Sequence, residues 1–172
     1  MGEKLDPESL RHVMARYFDA MRAALEHHGG TVEKFIGDAV MAVFGVPVVH
    51  EDDAVRAVRA AADMQGALST LNKELERDQG LALTVRIGVN TGEVVAGETE
   101  QSLVTGDTVN VAARLEQAAE PGTVLIGAET MALVRDAVIA DPVASLEVAT
   151  FITGASGCAS MCCSPAPIEP CS

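Results

Sequence analysis

The sequence predicts an α+β sandwich, with helices packed on a mixed sheet. Three observations predict it. Two long stretches, 7–28 and 51–77, repeat apolar residues at helical spacing. Between them, the apolar run from Lys34 to Gly45 folds back on a Gly-Asp pair, as two short strands would. Short strand-like and helix-like segments then alternate through the second half.

Asp6 is positioned to cap the first helix, and Pro7 suits its first turn. Leu10, Val13, Met14, Tyr17, Phe18, Met21 and Leu25 form its apolar stripe, and Gly29-Gly30 ends it. The hairpin follows, with Gly37-Asp38 as its turn, and is expected at the heart of the sheet. Val46-Pro47 opens a loop. Glu51, Asp52 and Asp53 give the second helix an acidic start that complements its dipole. Its inward residues are expected to be Val55, Val58, Ala62, Leu68, Leu71 and Leu75. Residues 81–89 and 93–96 read as strands. A third helix starts near Asp107, with Asp107 or Thr108 as its cap, and Glu120-Pro121-Gly122 breaks it. Residues 123–126 read as a strand and 128–138 as a last helix.

Composition narrows the function. The 172 residues suffice for one domain with a sizeable core. The net charge of −13, from 12 Lys+Arg against 25 Asp+Glu, argues against nucleic-acid binding, which needs a basic patch. No apolar run approaches a membrane span, and no basic segment followed by an apolar one opens the chain. The expectation is a cytoplasmic domain. Residues 1–140 read as that domain and 141–172 as an atypical tail, expected to be disordered. All four cysteines, Cys158, Cys162, Cys163 and Cys171, lie in the tail at spacings that fit no zinc pattern. His27 and His28 close the first helix, where cations suit the dipole. His12 faces solvent and His50 sits in a loop, and none of the four is read as a metal ligand.

Two segments carry chemistry. Asp38 sits at a fixed turn tip, where a carboxylate can hold Mg²⁺ together with substrate phosphates. The plain alternative is that the Gly-Asp pair serves only the turn. Asn110 and Arg114 lie four apart, hence on one helical face, while Val109, Ala112 and Ala113 turn toward the core. An amide and a guanidinium side by side suit sugar and phosphate oxygens. A solvated face with two unrelated polar residues is the alternative.

Taken with Val85-Arg86-Ile87-Gly88-Val89-Asn90-Thr91-Gly92-Glu93 and the run from Leu103 to Ala118, these segments resemble the class III adenylate/guanylate cyclase catalytic domain. Three motifs occur in the family's order and spacing. The resemblance implies a ferredoxin-like, βαββαβ-type sandwich. It also implies conversion of ATP or GTP to the 3′,5′-cyclic monophosphate and pyrophosphate, with two divalent metal ions, Mg²⁺ or Mn²⁺. The catalytic unit it implies is a head-to-tail homodimer, or a dimer with another cyclase domain. By motif, Asp38 matches a metal-binding aspartate and Lys34 the residue that contacts the purine. Asn110 matches the ribose-positioning residue, Arg114 the group that stabilises charge on the phosphates, and Arg86 a further phosphate contact.

The chain departs from the family's pattern in three ways. The family opens with an apolar strand, near the middle of its sheet, whose aspartate is the other metal ligand. The chain begins just past that point, so the resemblance implies a missing first strand and an incomplete second metal site. Leu103 stands where the polar partner of Lys34 is usual, and leucine accepts no hydrogen bond, which leaves ATP versus GTP open. No lysine follows Lys73, although the family's closing segment carries one. The alternative function is therefore a non-catalytic cyclase-homology module that dimerises or regulates a partner.

Overall fold

The computed structural model describes residues 6–95, 106–143 and, through its backbone pairing, the strand Cys158–Pro165. Helix α1 spans Pro7–His27. The Asp6 carboxylate accepts from the backbone amides of Glu8 and Ser9 and from the Ser9 hydroxyl. These bonds, the hydroxyl's first, hold its carboxyl below the ordinary range. Strands β1 (Thr31–Ile36) and β2 (Ala39–Phe44) form the antiparallel hairpin. Helix α2 spans Asp53–Gln79, β3 Val85–Gly92, α3 Asp107–Ala118, β4 Val124–Ile126, α4 Ala128–Val134 and β5 Cys158–Pro165. Among the described residues, no helix is long and apolar enough to cross a membrane.

The five strands lie in the order β1-β2-β5-β3-β4. The hairpin is therefore not at the heart of the sheet: β1 is an edge and β2 its neighbour. The centre belongs to β5, antiparallel to both β2 and β3. This corrects the expectation of disorder for that part of the tail. Low charge and small residues disguised it, yet Val40↔Cys163 and Ile87↔Cys163 show one strand bridging two apolar neighbours. Its slot satisfies backbone groups of β2 and β3 that would otherwise lack partners. It is also a central slot, the region of the sheet in which the resemblance puts the family's opening strand.

Other boundaries shift. β3 begins at Val85 rather than Leu81 and continues to Gly92, and the expected strand at 93–96 is reduced to a bridge at Val95. The last helix ends at Val134. The cap of α3 is Gly106, with no side-chain cap bond, in place of Asp107 or Thr108. On α2 the inward face is an alanine stripe, Ala54, Ala57, Ala60 and Ala61, continued by Met64, Leu68, Leu71 and Leu75. Val55 and Val58 are only half-buried and Ala62 is exposed. Small residues let α2 approach its neighbours closely, so bulk was a poor guide to which face turns inward.

β3 sorts its residues with the period of two expected of a strand. Val85, Ile87 and Val89 face α1 and α2 and join the main core with Val13, Tyr17, Met21, Leu25, Val40, Ala42 and Phe44. Thr91, on the same side, shares a 2.9 Å hydroxyl hydrogen bond with Thr130 of α4. Arg86, Gly88, Asn90 and Gly92 face α3 instead, the first two against its C-terminal half and the last two against its first turn at Thr108. Gly88 lies so close that a Cβ there would stand 2.2 Å from the Ala112 carbonyl oxygen and 2.5 Å from the Glu116 amide. Asn90 donates its side-chain amide to the Thr108 carbonyl at 3.3 Å. The Thr108 hydroxyl donates to the Glu93 carbonyl at 2.7 Å. Helix α3 is thus laid along the even-numbered face of β3 with little freedom to slide.

Candidate functional site

The site is built on the sheet face that carries α3. Lys34 reaches that face through an irregularity in β1. Val32 pairs with Ala42, but the next pair is Lys34 with Met41, so Glu33 is an extra, bulged residue. Directly paired residues share a face. The bulge therefore moves Lys34 from the Ala42 side, which faces α1 and α2, to the Met41 side. Met41 and Val43 pack there with Val94 and with Val109 of α3. Phe35, next along, returns to the other side and stacks edge-on against Phe18 at 4.8 Å. Without the bulge, Lys34 would point into the main core, where an ammonium is costly.

Asp38 occupies the exposed tip between β1 and β2, after Gly37 at φ 63°. That φ is left-handed, and glycine adopts it without strain. Arg86 lies on β3 with its Nε 3.5 Å from Oε1 of Glu116 on α3. The Glu116 side chain is 7% exposed and that of Arg86 is 29% exposed. Neither of the two facing atoms has a hydrogen-bond partner among the described residues. Burial pushes the Glu116 carboxyl up, Arg86 draws it down, and the Asp38 carboxylate pushes it up again. The net direction is upward. Asp38, Arg86 and Glu116 therefore form one electrostatic cluster, although they come from a hairpin tip, a strand and a helix.

The sign for stability follows from that direction. A carboxyl raised above its ordinary value of 4.5 contributes stability that is complete below that value and is lost as pH rises through the raised one. We expect Glu116→Gln, which cannot titrate, to lose less stability than the parent between pH 4.5 and neutrality. Thermal melts of both proteins at the two pH values check this. An equal loss in the two would show that Glu116 does not carry the dependence.

Asn110 and Arg114 are both exposed on α3, and neither bonds another side chain among the described residues. The buried side of the helix is Thr108, Ala112, Leu115 and Glu116, whereas Val109 and Ala113 are only half-buried. Leu103 lies outside the described residues. Asp38 and Arg86 both act on the Glu116 carboxyl, and Lys34 lies on the side of the sheet that carries α3 and its pair. Sequence reading missed Glu116, because a glutamate in a helix usually marks the solvated face. It also missed the bulge at Glu33, for which β1 carries no glycine or proline signal.

The cluster suits a phosphate-bearing ligand. A guanidinium on β3 and an exposed carboxylate at the hairpin turn both bear on Glu116, and a carboxylate exposed at a turn fits a divalent ion shared with phosphate oxygens. Comparison with known proteins gives the class. Residues 1–150 match the family model "Adenylate and Guanylate cyclase catalytic domain". The chain belongs to this family. It is 40% identical over 114 residues to "Putative adenylate cyclase 3" of Rhizobium meliloti, covering 66% of this chain and 17% of that protein. It is 34% identical over 125 residues to "Adenylate cyclase" of Anabaena cylindrica, covering 67% of this chain and 24% of that one. The chain therefore spans about a fifth of the length of such curated relatives. Among solved structures it is similar to the guanylyl cyclase Cya2, with TM-score 0.80 and 31% identity over 97% of this chain and 85% of that one. It is also similar to the adenylyl cyclase CyaB from P. aeruginosa, with TM-score 0.77 and 31% identity over 95% and 85%. The α+β fold is that of the cyclase catalytic domain, and the enzyme class is that of the nucleotide cyclases.

Proposed function

We propose that this domain converts a purine nucleoside triphosphate, ATP or GTP, into the 3′,5′-cyclic monophosphate and pyrophosphate. The observation that carries the proposal is the grouping on one sheet face of Lys34, Asp38, Arg86 and the helix bearing Asn110 and Arg114. Asp38 would hold a divalent ion, Mg²⁺ or Mn²⁺. Two such ions, when bound, supply charge stabilisation for the attacking and leaving oxygens. The chain's own residues do the positioning. Arg86 meets phosphate oxygens, with Glu116 of α3 facing its guanidinium. Asn110 orients the ribose so that its 3′ oxygen faces the α-phosphorus. Arg114 offsets negative charge as the new P–O bond forms and the bond to pyrophosphate breaks. Lys34 contacts the purine, and Leu103 stands opposite it in the motif.

The exposure of Asn110 and Arg114 supports a site shared between two domains, in a homodimer or with another cyclase domain. In such a dimer Asp38 and Arg86 of one chain would face Lys34, Asn110 and Arg114 of the other. Its setting would be the cytoplasm, where nucleoside triphosphates are made and the product serves as a signal. The test joins the family's aspartate-bearing opening strand ahead of Leu5 and supplies Mn²⁺ with ATP or GTP. Cyclic nucleotide and pyrophosphate should appear in equal amounts. A single observation favours a second reading, a non-catalytic dimerising or regulatory module: the strand in the central slot of the sheet, Cys158–Pro165, carries no carboxylate. Dimerisation without product from either nucleotide would select it.

A further inference from the structure

Away from that face, the C-terminus of α1 packs on the middle of α2 and brings together His27, His28 and Asp63. One ligand atom from each lies within 4.8 Å of the other two. The His28 Nε2 is 2.7 Å from Oδ2 of Asp63. The His27 and His28 rings meet nearly edge to face, at 5.0 Å between centroids and 83° between planes. We propose that these three side chains form a site for a divalent transition-metal ion of the zinc and nickel class, which fastens α1 to α2.

The donor set fits. Two imidazoles and a carboxylate are the ligands this class of ion takes, with water completing the shell. Metal–nitrogen distances near 2.0–2.1 Å place ligand atoms about 3.3 Å apart, so the imidazole and carboxylate separate by about half an ångström and His27 closes in. His27 and Asp63 are exposed, so the adjustment needs side-chain rotation alone. The backbone beneath is held. His28 caps α1 with its amide on the Glu26 and Leu25 carbonyls, and its own carbonyl accepts from Arg56 Nε at 2.8 Å. The Arg56 guanidinium is turned toward Asp53 and His50, at 2.8 and 2.9 Å, rather than toward the imidazole pair.

A simple ion pair between His28 and Asp63 accounts for the 2.7 Å contact but gives His27 no part. That difference sets the test, which does not depend on the cyclase reading. Ni²⁺ is the probe, because imidazole suits it while thiolates favour zinc, so the tail cysteines compete less. In the full chain, Ni²⁺ should bind and broaden the ring signals of His27 and His28 in NMR before those of His12 and His50. It should also raise the melting temperature, since only the folded state brings the three ligands together. His27→Ala and Asp63→Asn should each weaken binding by roughly tenfold or more, as loss of a ligand requires. Ni²⁺ affinity unchanged in His27→Ala, with the variant's melt normal without metal, overturns the site and leaves the ion pair. So does broadening that begins at His12 or His50.

Discussion

Asp38→Asn should lower cyclic nucleotide turnover by roughly 10²–10³-fold, because one metal-binding carboxylate and its electrostatic contribution are lost. The fold should survive, since Asp38 is exposed at the hairpin tip and Gly37 alone takes the left-handed turn position. The assay uses the version with the family's opening strand joined ahead of Leu5, with Mn²⁺ and ATP or GTP. A second readout separates this from an indirect effect. The Asp38 charge raises the Glu116 carboxyl, so its neutralisation should let that carboxyl titrate lower. A shift at Glu116 without a fall in turnover would keep Asp38 in the cluster and remove it from the metal site. A fall in turnover restored by high Mn²⁺ would place its role in ion affinity. Unchanged turnover at all Mn²⁺ concentrations would end the assignment.

What could be read in advance followed from local rules. The α1 stripe and its Asp6 cap, the hairpin and the pairing of Asn110 with Arg114 on one helical face are set by residues within a turn or two of each other. Apart from element boundaries and the α3 cap, the misreadings concern long-range placement. Sheet order depends on which strand fills the centre, and nothing in the small, uncharged segment from Cys158 marks it as the partner of Val40 and Ile87. On α2, Leu68, Leu71 and Leu75 turn inward as expected, but in its first half tight packing selects Ala57 and Ala61 over Val55 and Val58. Glu116 was passed over because its burial comes from a strand thirty residues earlier in the chain, through Arg86. The bulge at Glu33 was unreadable for a similar reason: only the partner strand reveals that two residues oppose one. The motifs that nominate the site residues were legible, and where the fold places those residues was not.

Gly88→Ala should be strongly damaging for a single methyl group. A Cβ at this position would meet the Ala112 carbonyl oxygen at 2.2 Å, the Glu116 amide at 2.5 Å and the Leu115 Cβ at 3.0 Å. Two of these are helix backbone atoms, which cannot rotate away, so α3 as a whole must lift from β3. Overpacking of this kind costs about 1–3 kcal/mol, which for a chain of this size lowers the melting temperature by roughly 2–9 °C. Activity should fall further than stability. The same helix carries Asn110, Arg114 and Glu116, and displacement of catalytic groups by about 1 Å can cost on the order of 10²-fold in rate. The matched control is Gly66→Ala, on the exposed side of α2, where an added Cβ has nothing within 4 Å. Alanine is favoured over glycine inside a helix by about 0.8–1 kcal/mol, so that variant should melt higher and turn over normally. The same chemical change then acts with opposite signs on the two surfaces. If Gly88→Ala melts and turns over like the parent, the α3 packing described above is wrong, and with it the shared face on which the proposed site depends.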